Sequence, residues 1–160
     1  MTIKVGDSIP SGSFKHMTAD GMQELSTDEL FGGKKVVLFS LPGAFTPTCS
    51  AKHLPGFVQH AGDLKAKGVD TIACMSVNDA FVMDAWGKDQ SVGDSVLMLA
   101  DGNGDVAKAL GLDFDASGFG MGTRAQRFAM IVDDGKVTTL NIEEPGAFEV
   151  SSAEAMLAAL

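Results

Sequence analysis

The middle of the chain alternates between apolar runs of strand length and longer segments in which apolar residues recur at helical spacing. The runs that we predict as strands are residues 34–41, 71–77 and 96–100. The segments that we predict as helices are residues 50–67 and 80–88. Pro55 should kink or break the first of these helices near Leu54. Strands that alternate with helices predict an α/β fold with a parallel sheet and right-handed crossovers.

Two Asp-Gly pairs predict hairpins at the two ends of this α/β pattern. Asp20-Gly21 and Asp134-Gly135 each lie between two short strand-like runs. The runs that these pairs connect are residues 13–18, 22–25, 127–133 and 136–142.

Short helices fill the remaining positions. Ser26 and Glu29 match a capping box for a helix over residues 27–31. Ser151 or Ser152 caps a last helix over residues 153–160. The glycine-rich residues 118–122 lack the spacing and the preceding strand of a nucleotide-binding loop, so we expect a flexible loop there.

Length and internal uniformity predict one domain over residues 1–160. The sequence has no repeat, linker or low-complexity stretch, and 160 residues suit a single substantial core. Apolar residues make up 45% of the chain, which argues against disorder.

Charge excludes two classes of partner. The formal net charge is −9, whereas nucleic acids and anionic membranes select basic surfaces. No apolar run approaches the roughly 20 residues of a membrane helix. We therefore expect neither a nucleic-acid nor a membrane partner. The two cysteines do not suggest a secreted disulfide framework, and the N-terminus has no signal-peptide core. These features predict a cytoplasmic protein, or an organellar one if a targeting segment has been removed.

Candidate chemistry centres on Cys49, which lies where a predicted strand passes into a helix. Unpaired N–H groups and the positive end of the helix dipole stabilise a thiolate there. Alone, the residue would be interpreted as a small buried hydrophobe, as most free cysteines are. The preceding loop favours a reactive thiol instead, because Pro42 and Pro47 stiffen the backbone and Thr46 places a hydroxyl nearby.

Residues 42–50, Pro-Gly-Ala-Phe-Thr-Pro-Thr-Cys-Ser, followed by His-Leu-Pro-Gly at 53–56, resemble the active site of a peroxiredoxin of the type II, peroxiredoxin-5-like branch. The resemblance extends through residues 68–88 and 122–129 and so covers nearly the whole chain. It implies a thioredoxin-like sandwich with a central mixed sheet and helices on both faces, which the order of predicted elements also fits.

The resemblance also implies roles for individual residues. Cys49 would be the nucleophile, and Thr46 would donate its hydroxyl to the thiolate or accept from the peroxide. Pro42 would limit solvent at the sulfur. The chain has only two arginines, and the resemblance places the active-site guanidinium at Arg124, with Arg127 in support.

Two further residues have alternative interpretations. His53 follows Cys49 by four residues, so it either acts as a general base or packs in support of the site. Cys74 lies in a predicted buried strand, so it is either a structural thiol or a resolving cysteine, and the resemblance allows both.

The predicted function is a thiol peroxidase that reduces hydrogen peroxide and small alkyl hydroperoxides through a Cys49 sulfenic acid. The resemblance implies recycling by glutathione with glutaredoxin or by thioredoxin, a homodimer joined near the active-site loops, and no metal or organic cofactor. A non-catalytic redox sensor or chaperone that reports oxidation of Cys49 is the alternative. A thiol-disulfide oxidoreductase normally needs a Cys-x-x-Cys pair, which the chain lacks.

Overall fold

A seven-stranded mixed sheet forms the centre of the computed structural model, which describes residues 1–160. Its strands are β1 (Ser13–Thr18), β2 (Gly21–Ser26), β3 (Lys35–Ser40), β4 (Thr71–Ser76), β5 (Leu97–Ala100), β8 (Phe128–Asp133) and β9 (Lys136–Ile142). Their spatial order is β2-β1-β5-β4-β3-β8-β9. The central strands β3, β4 and β5 are parallel, and the outer pairs are antiparallel. The predicted mixed sheet is therefore confirmed.

Helices cover both faces of this sheet. They are α1 (Thr27–Phe31), α2 (Leu54–Gln59), α3 (Ala61–Ala66), α4 (Ala80–Asp89), α5 (Asp105–Leu110) and α6 (Ala153–Ala159). One apolar cluster contains residues of α2, α3, α4 and α6, and the other contains residues of α1 and α5. None of these helices has the length and apolar character needed to cross a membrane.

The side-chain alternation of β3 divides the core into these two clusters. Val37 and Phe39 belong to the cluster that also contains Cys49, whereas Val36 and Leu38 belong to the opposite one. Because successive strand residues point to opposite faces, a strand buried on both faces is apolar throughout. This explains the uninterrupted apolar run in the sequence.

Both predicted hairpins form. Thr18 pairs with Gly21 across the first turn, and Asp134 and Gly135 have φ of 49° and 79° in the second. The capping box is also present, since the Ser26 side chain accepts from the Glu29 N–H and the Glu29 carboxylate accepts from the Ser26 N–H.

The segment before Arg124 differs from the predicted flexible loop. Strands β6 (Asp113–Asp115) and β7 (Thr123–Ala125) form a separate antiparallel ribbon, and a 3₁₀ turn (Ser117–Phe119) lies between them. Three-residue strands leave too short a pattern to detect in the sequence. The ribbon fixes the position of Arg124.

The helix that carries Cys49 begins with an irregular turn. Residues Cys49–His53 form a π turn, in which the Leu54 N–H donates to the Cys49 carbonyl, and α2 begins directly after it. Pro55 has no N–H to donate to the carbonyl four residues earlier. The prediction of a distortion near Leu54 is confirmed, and the distortion takes the form of a π turn rather than a break.

Candidate active site

A constrained loop connects β3 to the helical turn that carries Cys49. The Ala44 N–H donates to Asn78 Oδ1 (2.9 Å), and this amide oxygen also accepts from the Ser76 hydroxyl (2.6 Å). Phe45 has φ of 65°, which is uncommon for a residue with a side chain. The end of β4 therefore fixes the loop that precedes the sulfur.

Cys49 is fully buried, and its sulfur meets a guanidinium group. Arg127 Nη2 donates to Cys49 Sγ at 3.0 Å. Arg127 lies just before β8, whose first residue, Phe128, pairs with Ser40 at the end of β3. This register places the Arg127 side chain beside the loop that leads to the cysteine. A cation at this distance stabilises the thiolate relative to the thiol.

The structure does not place Arg124 against the sulfur. This corrects the prediction that Arg124 supplies the active-site guanidinium. Its Nε donates to the Met121 carbonyl (2.9 Å), and its Nη1 donates to the Pro42 carbonyl (3.4 Å). The pairing of β7 with β6 directs this side chain to the loop. Arg127, predicted only to support it, makes the sulfur contact instead.

Thr46 and Pro42 lie on the loop without a hydrogen bond to the sulfur. The Thr46 hydroxyl donates to the Gly43 carbonyl at 2.7 Å. Because the hydroxyl proton is donated to Gly43, the Thr46 oxygen can only accept a hydrogen bond from any further group. A Cβ on Gly43 would lie 3.1 Å from Arg124 Nη1 and 3.3 Å from Thr46 Cγ2, so glycine permits this close packing.

His53 is fully buried and contacts Arg127 rather than the sulfur. Arg127 Nη1 lies 2.8 Å from His53 Nδ1, and His53 Nε2 lies 2.9 Å from the Ser151 carbonyl oxygen. An arginine has only donors, and a carbonyl only accepts. Nδ1 must therefore accept, and Nε2 must carry the proton. Burial, followed by the Arg127 charge, lowers the pKa of His53 to about 3. The imidazole is thus neutral.

Cys74 has no comparable partner. It is fully buried in β4, where it pairs with Phe39 of β3, and it is a free thiol. Burial raises the pKa of the Cys74 thiol well above its usual value, and the nearby Cys49 adds to the effect. Cys74 therefore stays a thiol while it remains in the core.

Three contacts that lie around Cys49 were not predicted from the sequence. Trp86 Nε1 donates to Ser50 Oγ (3.0 Å), which fixes the turn after the cysteine. Asn78 holds the loop through the Ala44 N–H, and its position could have indicated this contact, because the carboxyl ends of adjacent parallel strands meet at one sheet edge. Nothing local in the sequence indicated the contact between His53 and Ser151.

The protein has no group of three or more His, Cys, Asp or Glu side chains that is placed to hold a metal ion. A cleft of about 530 Å³ between α4 and the strands β4 and β5 contains none of the residues around Cys49.

Comparisons with known proteins identify the family of this chain. Residues 4–157 match the Redoxin family. The chain is 54% identical to chloroplastic peroxiredoxin-2E-2 of Oryza sativa subsp. japonica, covering 99% of this chain and 73% of the relative. It is 51% identical to peroxiredoxin-2B of Arabidopsis thaliana, covering 99% of this chain and 98% of the relative.

Solved structures give the same assignment. Reduced Prx3 of Vibrio vulnificus in complex with H2O2 is 56% identical over 99% of both chains, with a TM-score of 0.96. Peroxiredoxin 5 of Alvinella pompejana is 35% identical over 98% of this chain and 97% of its own, with a TM-score of 0.87. The chain therefore belongs to the Redoxin family and is a thiol peroxidase of the type II, peroxiredoxin-5-like peroxiredoxins.

Proposed function

We propose that Cys49 is the peroxidatic residue and that Arg127 holds it as a thiolate. The sulfur attacks the terminal oxygen of hydrogen peroxide or a small alkyl hydroperoxide, so that an S–O bond forms as the O–O bond breaks. The sulfur is oxidised to a sulfenic acid, and the leaving oxygen takes a proton to become water or an alcohol. The contact of 3.0 Å between Arg127 Nη2 and Cys49 Sγ is the observation that carries this proposal.

Arg127 and Thr46 supply complementary groups for the peroxide. The guanidinium stabilises negative charge that develops on the leaving oxygen. The Thr46 oxygen, whose proton is committed to Gly43, accepts a hydrogen bond from the peroxide O–H. Pro42 and Arg124 act on the same site through the loop, since the Arg124 guanidinium donates to the Pro42 carbonyl. Arg124 thus positions the loop that shields the sulfur.

Glutathione with glutaredoxin, or thioredoxin, is the proposed reductant. A reductant thiolate attacks the sulfenic sulfur, water leaves, and a mixed disulfide forms. A second thiol then attacks the reductant sulfur of the mixed disulfide. This step releases Cys49 as a thiolate and joins the two reductant sulfurs in a disulfide. Cys74 contributes little, because a protonated thiol is a poor nucleophile.

Recycling requires the buried sulfur to become accessible. Thr48, at the start of the π turn, makes no side-chain capping hydrogen bond, so the N-terminal end of this turn lacks one of the usual helix restraints. We infer that this turn opens locally after oxidation, which exposes the sulfenic acid to a reductant.

A homodimer is the proposed assembly, in the cytoplasm. Phe45 on the active loop and Phe119 before Arg124 are 52% and 81% exposed, and exposed aromatic side chains favour protein contacts. The substitutions Phe45→Lys and Phe119→Lys should shift the mass measured by light scattering towards the monomer. An unchanged mass would count against these residues as contacts.

A peroxide-consumption assay tests the proposed function. The protein should consume hydrogen peroxide with dithiothreitol as reductant, and parallel assays with glutathione/glutaredoxin and with thioredoxin identify the recycling system. A folded protein that consumes no peroxide with any of these reductants would favour the redox sensor or chaperone.

A further inference from the structure

Arg127, which contacts the sulfur, belongs to a closed ring of hydrogen bonds that contains residues far apart in the sequence. Glu143 follows β9, and its backbone N–H donates to the Arg127 carbonyl at 3.0 Å. The Glu143 carboxylate accepts from the Ser151 N–H (2.8 Å) and the Ser151 hydroxyl (2.6 Å). The Ser151 carbonyl accepts from His53, and His53 accepts from Arg127. The ring thus begins and ends at the arginine.

Glu143 determines the shape of the segment before α6. Its carboxylate also accepts from the backbone N–H groups of Glu149 (2.8 Å) and Val150 (2.9 Å). Four donors from three consecutive residues therefore converge on one carboxylate. Burial alone would raise the pKa of Glu143, but the hydrogen bonds from Ser151, Glu149 and Val150 outweigh it and lower the pKa. The carboxylate stays charged and holds the segment against β9.

The orientation of the Ser151 carbonyl decides the chemistry of His53. A carbonyl at Nε2 requires the proton there, which leaves Nδ1 free to accept from Arg127. The opposite tautomer would place an N–H against the guanidinium. Three aromatic rings surround the imidazole of His53, with centroids 4.9, 5.7 and 5.0 Å away for Phe39, Phe57 and Phe148. On these sides no water takes the place of the Ser151 carbonyl as a hydrogen-bond acceptor.

We propose that Glu143 is a positioning residue for peroxide reduction: through the Ser151 carbonyl and the fixed tautomer of His53, it holds the Arg127 guanidinium on the Cys49 sulfur. The inference rests on the proposed function of Cys49 and Arg127. Glu143 touches neither the sulfur nor the peroxide, and it acts only through Arg127.

The Glu143→Gln variant tests this role. An amide places its NH₂ group in the position of Oε1, against the Glu149 N–H, and its uncharged oxygen accepts more weakly than a carboxylate from Val150 and Ser151. The segment therefore loosens, and the Ser151 carbonyl shifts away from His53. We expect the second-order rate constant with hydrogen peroxide to fall about 10-fold. The ionisation midpoint of Cys49, followed by thiolate absorbance in a Cys74→Ser background, should move to higher pH. Glu144→Gln makes the same chemical change at the exposed neighbouring side chain and should leave both values unchanged.

A double-variant cycle distinguishes an effect through the ring of hydrogen bonds from a general effect on folding. In a His53→Ala background the connection is already broken, so Glu143→Gln should change the ionisation midpoint little further. A folded Glu143→Gln variant that matches Glu144→Gln in rate and ionisation would overturn the proposal. Full additivity in the cycle would do the same.

Nitrogen NMR of His53 provides a test that needs no Glu143 variant. With His16 and His60 replaced by Asn, only His53 remains to be observed. We expect a protonated Nε2 and an unprotonated Nδ1 throughout pH 5 to 8. A protonated Nδ1, or an average of both tautomers, would overturn the inference even if Glu143→Gln does not fold. Absence of peroxide consumption by the wild type would instead overturn the proposed function, since the tautomer is measured without turnover.

Discussion

Cys49 and Cys74 lie fully buried in the same apolar cluster, yet their surroundings differ in one decisive respect. Cys49 receives a hydrogen bond from the Arg127 guanidinium. Cys74 lies among the strands of the sheet, and its sulfur makes no hydrogen bond. Burial alone disfavours a thiolate, and it raises the pKa of Cys74. We propose that this contact with a cation is what makes Cys49, and not Cys74, reactive.

The largest expected effect comes from replacing Cys49 with serine. Cys49→Ser should abolish peroxide reduction, because serine cannot form the sulfenic acid, and Cys74→Ser is the matched control at an equally buried position. Peroxide consumption at a fixed protein concentration is the measurement, with circular dichroism as a check of folding. Turnover above a few per cent in folded Cys49→Ser would remove this cysteine from the chemistry.

The two arginines provide the next largest contrast. Arg127→Ala should slow the reaction with peroxide by about 100-fold, the typical cost of removing one donor to a developing oxyanion. It should also raise the pH at which the Cys49 thiolate forms. Arg124→Ala should cost less than about 10-fold, because Arg124 acts through the loop. Stopped-flow rates and thiolate absorbance measure both effects, and a larger loss for Arg124→Ala would reverse the assignment.

A smaller effect concerns stability, since the Cys49 side of the core also contains a neutral imidazole. The pKa of His53 is about 3 in the folded protein against 6.5 for an ordinary histidine. Between these values the unfolded chain binds one more proton, so stability falls as the pH falls below about 6.5. From this group alone, the free energy of unfolding should fall by up to about 1.4 kcal/mol per pH unit.

Urea unfolding at pH 6.5, 6.0 and 5.0 measures this dependence above the range in which ordinary carboxylates titrate. His53→Asn should lose most of the slope, and His16→Asn should keep it. Equal slopes for the two variants would show that folding does not suppress the protonation of His53.

The smallest expected effect is that of Cys74→Ser on recycling. This variant should keep most of its activity with glutathione and glutaredoxin, since a protonated thiol in β4 competes poorly with glutathione. Mass spectrometry after one equivalent of peroxide identifies the products. A quantitative Cys49–Cys74 disulfide that forms faster than glutathionylation would show that Cys74 resolves the sulfenic acid.

Local sequence signals predicted most of the fold. The capping box at Ser26, the turns at Asp20-Gly21 and Asp134-Gly135, and the apolar run of β3 are each determined by neighbouring residues. The same holds for the junction of strand and helix at Cys49. The β6–β7 ribbon was missed because its strands are too short to show a period.

The environment of Cys49 depends on contacts that no local pattern contains. Arg124 and Arg127 are three residues apart, and the register of β8 against β3 decides which one reaches the sulfur. The contacts of His53 with Ser151, and of Ser151 with Glu143, likewise depend on the return of the chain between β9 and α6. The sequence therefore indicated the candidate nucleophile but not which arginine contacts its sulfur.

Oxidation of the sulfur by hydrogen peroxide in two single-cysteine variants tests the central comparison most directly. Cys74→Ser leaves only Cys49, and Cys49→Ser leaves only Cys74. One equivalent of hydrogen peroxide should oxidise Cys49 in Cys74→Ser, whereas Cys74 in Cys49→Ser should keep its free thiol until the protein unfolds. Equal rates of oxidation in the two variants would contradict the claim that the contact with Arg127, rather than burial, distinguishes the two cysteines.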